Sequence, residues 1–331
     1  MNNSKLKSIA KKLVAPKKSI LAADESTGTI EKRLNQIKVK STEKSRRDYR
    51  ELLFTSKGIE KYISGIILYD ETLRQKASDG TSFVKLLEGK GIVPGIKVDK
   101  GAKDLAAFPG EKVTEGLDGL RERFEEYAKI GAGFSKWRAV ITIGKNIPTE
   151  ACIHANAHAL ARYAALSQEA GIVPIVEPEV LMNGDHSIKR CAEVTGRTLD
   201  AVFTELARYE VFLEGMLLKP NMIISGSEAK KQSSVREVVE TTLKVFREFV
   251  PKRVPGIVFL SGGLSPDEAT ERLNAINKMG KQPWELSYSF GRALQQEALL
   301  TWEGKEAKKK EAQEVFIKRA SLTSTSRSGS L

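Results

Sequence analysis

The strongest constraint in this sequence is a repeated order: a short apolar run, a polar end, then a longer amphipathic stretch. The runs are Ser19–Asp24, Ile63–Asp70, Ile92–Asp99, Phe134–Ile143, Ile172–Glu177, Gly215–Asn221, Gly256–Ser261 and Leu286–Phe290. Short runs of this kind read as strands buried on both faces, the habit of a parallel sheet. The segments between them carry helix signals. Thr114 to Ile130 ends at Gly131, and Thr149 opens a helix after Pro148 that closes at Gly171. Ser265-Pro266-Asp267-Glu268 joins a capping box to a proline at the first helical position, and Gly280 follows the last periodic residue. Such alternation either closes into a (β/α)8 TIM barrel or stays open as a doubly wound sheet.

The run ends favour the barrel. In order they are Asp24, Asp70-Glu71, Lys97/Asp99, Lys136/Arg138, Glu177/Glu179, Lys219, Ser261 and Gly291-Arg292. The seven steps from Asp24 to Arg292 average about 38 residues, enough for one strand, one helix and their loops. Positions i and i+2 of a strand share a face. Lys97-Val98-Asp99, Lys136-Trp137-Arg138 and Glu177-Pro178-Glu179 therefore each put two charges on one side and an apolar residue on the other. Three such pairs predict a polar mouth at the C-terminal end of a barrel, where active sites of this fold sit. The alternative is that these charges merely meet solvent on entering loops. The expected architecture is α/β: one TIM-barrel domain over residues 1–320, with an N-terminal helix and a charged C-terminal helix, Glu303–Arg319. A flexible tail, 321–331, is expected to follow, since seven of its eleven residues are Ser or Thr.

Charge narrows the partners. Lys plus Arg total 54 against 42 Asp plus Glu, a net charge of +12, which favours anionic ligands. Hydrophobic residues at 40% and charged residues at 29% exclude wholesale disorder. No apolar run approaches the roughly 18 residues of a membrane span, so no membrane partner is expected. Two cysteines, Cys152 and Cys191, are too few for a disulfide scaffold and fit a reducing compartment. No Walker or dinucleotide fingerprint is present. Trp137, Trp284 and Trp302 form no stacking series with basic residues, so no nucleic-acid partner is expected.

Lys219 is the most informative residue. It sits in Gly215-Met216-Leu217-Leu218-Lys219-Pro220-Asn221, where a charged side chain is costly. Burial and nearby cations, for which Lys136 and Lys97 are candidates, favour a free amine able to act as a nucleophile on a carbonyl. Glu177, on the neighbouring strand, is within reach as a general acid or base. The alternative is that Lys219 snorkels outward to pair with a carboxylate. Two anion cradles accompany it: Ser261-Gly262-Gly263 after the seventh run, and Ser289-Phe290-Gly291-Arg292 at the eighth. Glycines admit close approach of backbone N–H groups, and barrels often hold phosphate in these two loops. Asp24-Glu25-Ser26-Thr27-Gly28-Thr29, with Lys32, Arg33 and Arg46 downstream, is either a second phosphate site or a capped helix start with a solvated basic face. His154 and His158 share a helix face but lack a third ligand, so they read as structural and no metal is expected.

These segments resemble the class I fructose-bisphosphate aldolases. The likeness runs in order from about Ile9 to Arg319. It is carried by Leu21-Ala22-Ala23-Asp24-Glu25-Ser26-Thr27-Gly28, Gly95-Ile96-Lys97-Val98-Asp99-Lys100-Gly101, Lys136-Trp137-Arg138, Ile175-Val176-Glu177-Pro178-Glu179, Leu217-Leu218-Lys219-Pro220-Asn221, Phe259-Leu260-Ser261-Gly262-Gly263 and Gly291-Arg292-Ala293-Leu294. The resemblance implies a cofactor-free, metal-independent lyase of glycolysis and gluconeogenesis. It would cleave fructose 1,6-bisphosphate through a Schiff base on Lys219. Glu177 would be the acid/base, Asp24 a carboxylate near the reacting carbons and Lys136 the cation stabilising the carbinolamine; Glu179 and Arg138 would orient them. Ser261, Gly262, Gly263, Ser289, Gly291 and Arg292 would hold the C1 phosphate, and Ser26, Thr29, Arg33, Arg46 and Lys97 would lie near the C6 phosphate or its hydroxyls. The resemblance also implies a phosphorylated sugar as partner, a homotetramer, cytoskeletal binding and a cytoplasmic location. Thr29 stands where many members carry serine. No tyrosine follows Tyr288, whereas animal members use a terminal tyrosine in proton exchange at the enamine, so enamine protonation is expected either to be slower or to fall to another group such as water, Glu177 or the phosphate of dihydroxyacetone phosphate. The same chemistry on another ketose phosphate, and a polyanion-binding scaffold, are the competing readings.

Overall fold

The computed structural model describes residues 2–331. Eight parallel strands close into a barrel: β1 Ser19–Ala23, β2 Ile63–Leu68, β3 Val93–Lys97, β4 Phe134–Ile141, β5 Val173–Val180, β6 Leu217–Leu218, β7 Gly256–Phe259 and β8 Glu285–Phe290. Every strand pairs with its sequence neighbours, and β1 closes on β8 through Ile20↔Ser289 and Leu21↔Phe290. The expected TIM barrel is the observed fold, and all eight expected runs supply its strands.

Two layers of core hold it. Between strands and outer helices lies a continuous apolar layer containing Trp137, Tyr163, Phe246, Phe259, Tyr288 and Phe290. The barrel bottom is filled by Ile20, Phe134, Ile175, Leu217 and Val258, against Leu6, Ala10 and Leu13 of the helix Asn3–Leu13. That helix is a plug, so the barrel opens only at its C-terminal end. Phe134 dictates local sequence here: a Cβ on Gly95 would come within 2.3 Å of its ring, so only glycine admits the ring inside the barrel.

The punctuation also works as read. Thr149 caps the helix Glu150–Glu169 by accepting from the Cys152 N–H, and Ser265 and Glu268 complete a capping box on Pro266–Lys278. One boundary differs. Thr114 does not open a helix; it ends an antiparallel hairpin, Ala102–Asp104 with Lys112–Thr114, and the helix starts at Leu120. Gly116 and Gly119, both at positive φ, separate the two.

The C-terminus also departs from expectation. The charged stretch breaks at Glu303-Gly304, both at positive φ, and the last helix runs Lys309–Thr325. The Ser/Thr segment expected to be flexible is packed instead. The Ser324 hydroxyl donates to the Lys17 carbonyl, those of Thr323 and Ser326 donate to backbone carbonyls of the same segment, and Arg327 donates to carbonyls of Val14, Ala15 and Lys18. Hydroxyls that leave a chain unstructured in isolation here satisfy buried backbone groups.

Candidate active site

The strand ends surround one cavity of about 980 Å³. Alternation along β4 aims Lys136 and Arg138 into it and turns Trp137 outward, where its ring stacks on Tyr163 at 5.6 Å. Glu177 and Glu179 enter from β5, Lys219 from the end of β6, Lys97 from β3 and Asp24 from just beyond β1.

Six ionisable groups meet at the centre. Lys219 Nζ lies 3.2 Å from Glu177 Oε1, and both side chains are about 95% buried. Lys136 Nζ lies 2.8 Å from Asp24 Oδ2, 3.5 Å from Glu177 Oε2 and 3.7 Å from Asp99 Oδ2. Lys97 Nζ donates to Asp99 Oδ1 at 2.6 Å. Three lysines and three carboxylates thus offset one another's burial cost. Burial pulls the Lys136 ammonium toward lower pKa, but Asp24, Glu177 and Asp99 outweigh it and drive its pKa above the lysine range. Asp24 is the mirror case: burial pushes its carboxyl up, yet Lys136, Lys219 and Lys97 hold it well below the carboxylate range. Asp99 is lowered likewise, with burial opposing Lys136 and Lys97. Lys136 is therefore a fixed cation, not a base. Glu177 bridges the two lysines, and its Oε2 is buried without a hydrogen-bond partner.

The rims carry donors. Gly262 and Gly263 adopt φ of +52° and +87°, which turns the backbone after β7 into a nest of N–H groups. Ser289 Oγ is buried and unpartnered, and Gly291 precedes the helix Arg292–Trp302, whose N-terminus faces the cavity. Arg292 Nη2 donates to the Gly263 carbonyl at 2.6 Å and braces that loop. After β1, the strand beside β8, Ser26 and Thr29 share a hydroxyl contact of 3.1 Å; Arg33 is paired with Glu25, and a Cβ on Gly291 would lie 3.7 Å from its Nη2.

Comparison with known proteins adds a separate line. A family model described as fructose-bisphosphate aldolase class-I matches residues 5–331. The chain belongs to that family. A probable class 1 fructose-bisphosphate aldolase of Xanthomonas campestris is 54% identical over 324 residues, covering 97% of this chain and 96% of the relative. The cytosolic fructose-bisphosphate aldolase 6 of Arabidopsis thaliana is 54% identical over 310 residues, covering 93% and 86%. A solved structure of the Plasmodium falciparum aldolase, in complex with TRAP and a small-molecule inhibitor, superposes with a TM-score of 0.98 at 48% identity, covering 99% of this chain and 95% of that one.

In this family member the cavity lining includes Lys219, Glu177, Asp24, Lys136, Glu179, Ser26, Thr29, Arg33, Lys97, Arg138, Ser261, Gly262, Gly263, Ser289, Gly291 and Arg292. Arg46 is not brought there. Both oxygens of Glu71 hold its guanidinium outside the lining. Sequence reading passed over Asp99 as a site residue, although its i, i+2 spacing from Lys97 was the available signal. It also passed over Glu25, whose carboxylate is shared by Arg33 and the buried Arg50. Nothing local marks Arg50, which arrives from the helix Glu43–Thr55. His154 and His158 stack on the outer helix and face Glu205 at 3.7 and 3.6 Å. Among the described residues, no cluster of His, Cys, Asp and Glu is arranged to hold a metal. Both cysteines are buried; burial and nearby Glu111 push the Cys152 thiol up to about 12. Among the described residues, no helix is long and apolar enough to cross a membrane.

Proposed function

We infer that this protein is a Schiff-base aldolase of glycolysis and gluconeogenesis. It reversibly cleaves fructose 1,6-bisphosphate to dihydroxyacetone phosphate and glyceraldehyde 3-phosphate. The observation that carries the reading is the Lys219–Glu177 contact at the centre of a cationic mouth. Lys219 Nζ adds to the C2 ketone. Glu177 gives up a proton so that the carbinolamine hydroxyl leaves as water, and an iminium forms. The iminium accepts the electron pair of the breaking C3–C4 bond as the C4 hydroxyl loses its proton to a carboxylate. The fixed positive charge of Lys136 stabilises the carbinolamine oxygen, and Asp24 holds Lys136 in place. Glu179 orients Arg138 on the same wall. The Ser261–Gly263 nest, Ser289, Gly291 and Arg292 suit one phosphate. Ser26, Thr29, Arg33 and Lys97 suit the other. Arg46, outside the cavity lining, has no part in this assignment.

Borohydride reduction in the presence of dihydroxyacetone phosphate tests the reading. The expected result is one stable adduct, mapped to Lys219 and lost in Lys219→Met. An adduct elsewhere, or turnover undiminished by that substitution, overturns it. Activity is expected to persist in chelator, since the iminium supplies the electron sink. We further propose a homotetramer in the cytoplasm that engages the cytoskeleton. Family resemblance and the cytosolic naming of the Arabidopsis relatives support this; sedimentation analysis and filament co-pelleting test it.

A further inference from the structure

Behind the phosphate nest lies a second, smaller cavity of about 80 Å³, bordered by Ser225, Ser233, Gly263, Leu264, Glu268 and Arg272. One water needs roughly 10–15 Å³ of such space, so there is room for a tetrahedral oxyanion. Gly263 borders both cavities. Arg292 braces the loop from the main side, and Arg272 lies on the other.

Arg272 is the unusual feature. Its side chain is only 13% exposed, and Nη1 is buried with no hydrogen-bond partner. The nearest carboxylate, Glu268, approaches Nη2 only to 3.8 Å, and its other oxygen is engaged by the Ser265 N–H. Burial lowers the guanidinium's pKa despite the pull of Glu268 and Glu271. A guanidinium stays protonated in proteins, so this charge is largely buried with one loose carboxylate neighbour, Glu268, and an Nη1 that has no acceptor. Ser233 Oγ accepts from the Ser225 N–H, and among the described residues its own O–H donates to no protein acceptor. Arg272, with one N–H lacking an acceptor, and Ser233, whose O–H has none, thus line the same small cavity, with Glu268 at its edge. Donors without acceptors define an anion site, and the planar fork of arginine matches a phosphate edge.

We propose that the Arg272–Ser233 cavity is a second anion site that takes inorganic phosphate behind the Ser261–Leu264 loop. It is separate from the substrate phosphate positions and does not depend on the chemistry assigned to Lys219. A phosphate there accepts from Arg272 and Ser233 and fills the space against Gly263. Its occupancy restrains the loop that Arg292 holds from the other side.

Equilibrium dialysis with radiolabelled inorganic phosphate tests this on the full chain. The number of phosphates bound to the unmodified protein is expected to fall by one in Arg272→Met and to be kept in Arg272→Lys. Ser233→Ala is expected to weaken the same site about tenfold or less, as loss of one donor to a charged group does. Arg292→Ala is expected to weaken a different bound phosphate and leave this one. Phosphate is also expected to raise the melting temperature of the unmodified protein more than that of Arg272→Met. Equal stoichiometry and affinity in the unmodified protein and Arg272→Met overturn the proposal and leave the cavity a water pocket. Should Arg272→Met fail to fold, unchanged binding in Ser233→Ala overturns it equally. No turnover is measured, so failure here and failure of the aldolase reading are distinguishable.

Discussion

Glu177 touches Lys219 with one carboxylate oxygen, at 3.2 Å, and leaves the other 3.5 Å from Lys136 without a hydrogen bond. The contact spans adjacent strands of the barrel. It puts a proton carrier beside the nucleophile and a fixed cation behind the carrier. Replacing Glu177 by Gln keeps the shape and removes the proton. We expect kcat to fall by about 10²–10⁴-fold, the usual worth of a positioned acid/base. Steady-state kinetics checks this, and borohydride trapping should still label Lys219, more slowly.

Asp99 anchors Lys97 directly and Lys136 at longer range from the fully buried side of the site. Asp99→Ala strands Lys97 and leaves Lys136 with Asp24 and Glu177 alone. The expected cost is about 3–5 kcal/mol of stability, typical of breaking a buried pair. Urea unfolding at neutral pH measures it, and a loss below about 1 kcal/mol would contradict the network described.

Acid should weaken the fold by a defined route. Asp24, Glu25 and Asp99 are all held below their ordinary values by neighbouring cations acting against burial. Groups with depressed folded pKa values contribute stability above their unfolded pKa, and lose it as pH falls through the folded one. For Asp24 and Asp99 the loss therefore begins as pH falls below the ordinary 3.8. Lys136 runs the other way: raised in the fold, its contribution is complete below 10.5 and declines at higher pH. Unfolding free energies measured from pH 1.5 to 7 should drop below about pH 4, with a shallower slope in Asp99→Asn.

Gly263 sets the shape of the nest after β7. Its φ of +87° disfavours any side chain, and a Cβ would come within 2.7 Å of Met182 Sδ. Gly263→Ala should cost roughly 1–2 kcal/mol from backbone strain alone. We expect KM for the bisphosphate to rise, with the rate of borohydride trapping at saturation little changed. A KM equal to that of the unmodified protein would show that the nest does not hold phosphate.

Arg327 ties the end of the chain to its beginning. Its side chain is about 4% exposed and donates to carbonyls of Val14, Ala15 and Lys18, just past the plug helix. Arg327→Ala removes all three bonds, leaving Ala15 only the Lys18 N–H and Lys18 only the Ser287 hydroxyl. A loss of about 2–3 kcal/mol is expected from hydrogen bonds to a charged donor, read as a lower urea midpoint with near-normal kcat. No change would mean that the terminal segment does not brace the barrel.

The barrel and most of its mouth are legible in short-range sequence signals. Apolar runs, capping boxes and terminal glycines act within a few residues of one another, so their consequences can be read locally. The i, i+2 charge pairs do the same for Lys136 and Arg138 and for Glu177 and Glu179. Who pairs with whom was settled by the three-dimensional arrangement. Strand order brought Glu177 to Lys219; closure of the barrel brought Asp24 to Lys136; the helix Glu43–Thr55 brought Arg50 under Glu25. It also withdrew Arg46 to Glu71, and it turned a tail that composition marks as unstructured into a packed segment held by Arg327. Composition records what a residue tends to do in water. The partners that reverse that tendency lie from 25 to 312 residues away, and burial beside them makes a charge or hydroxyl structural or chemical.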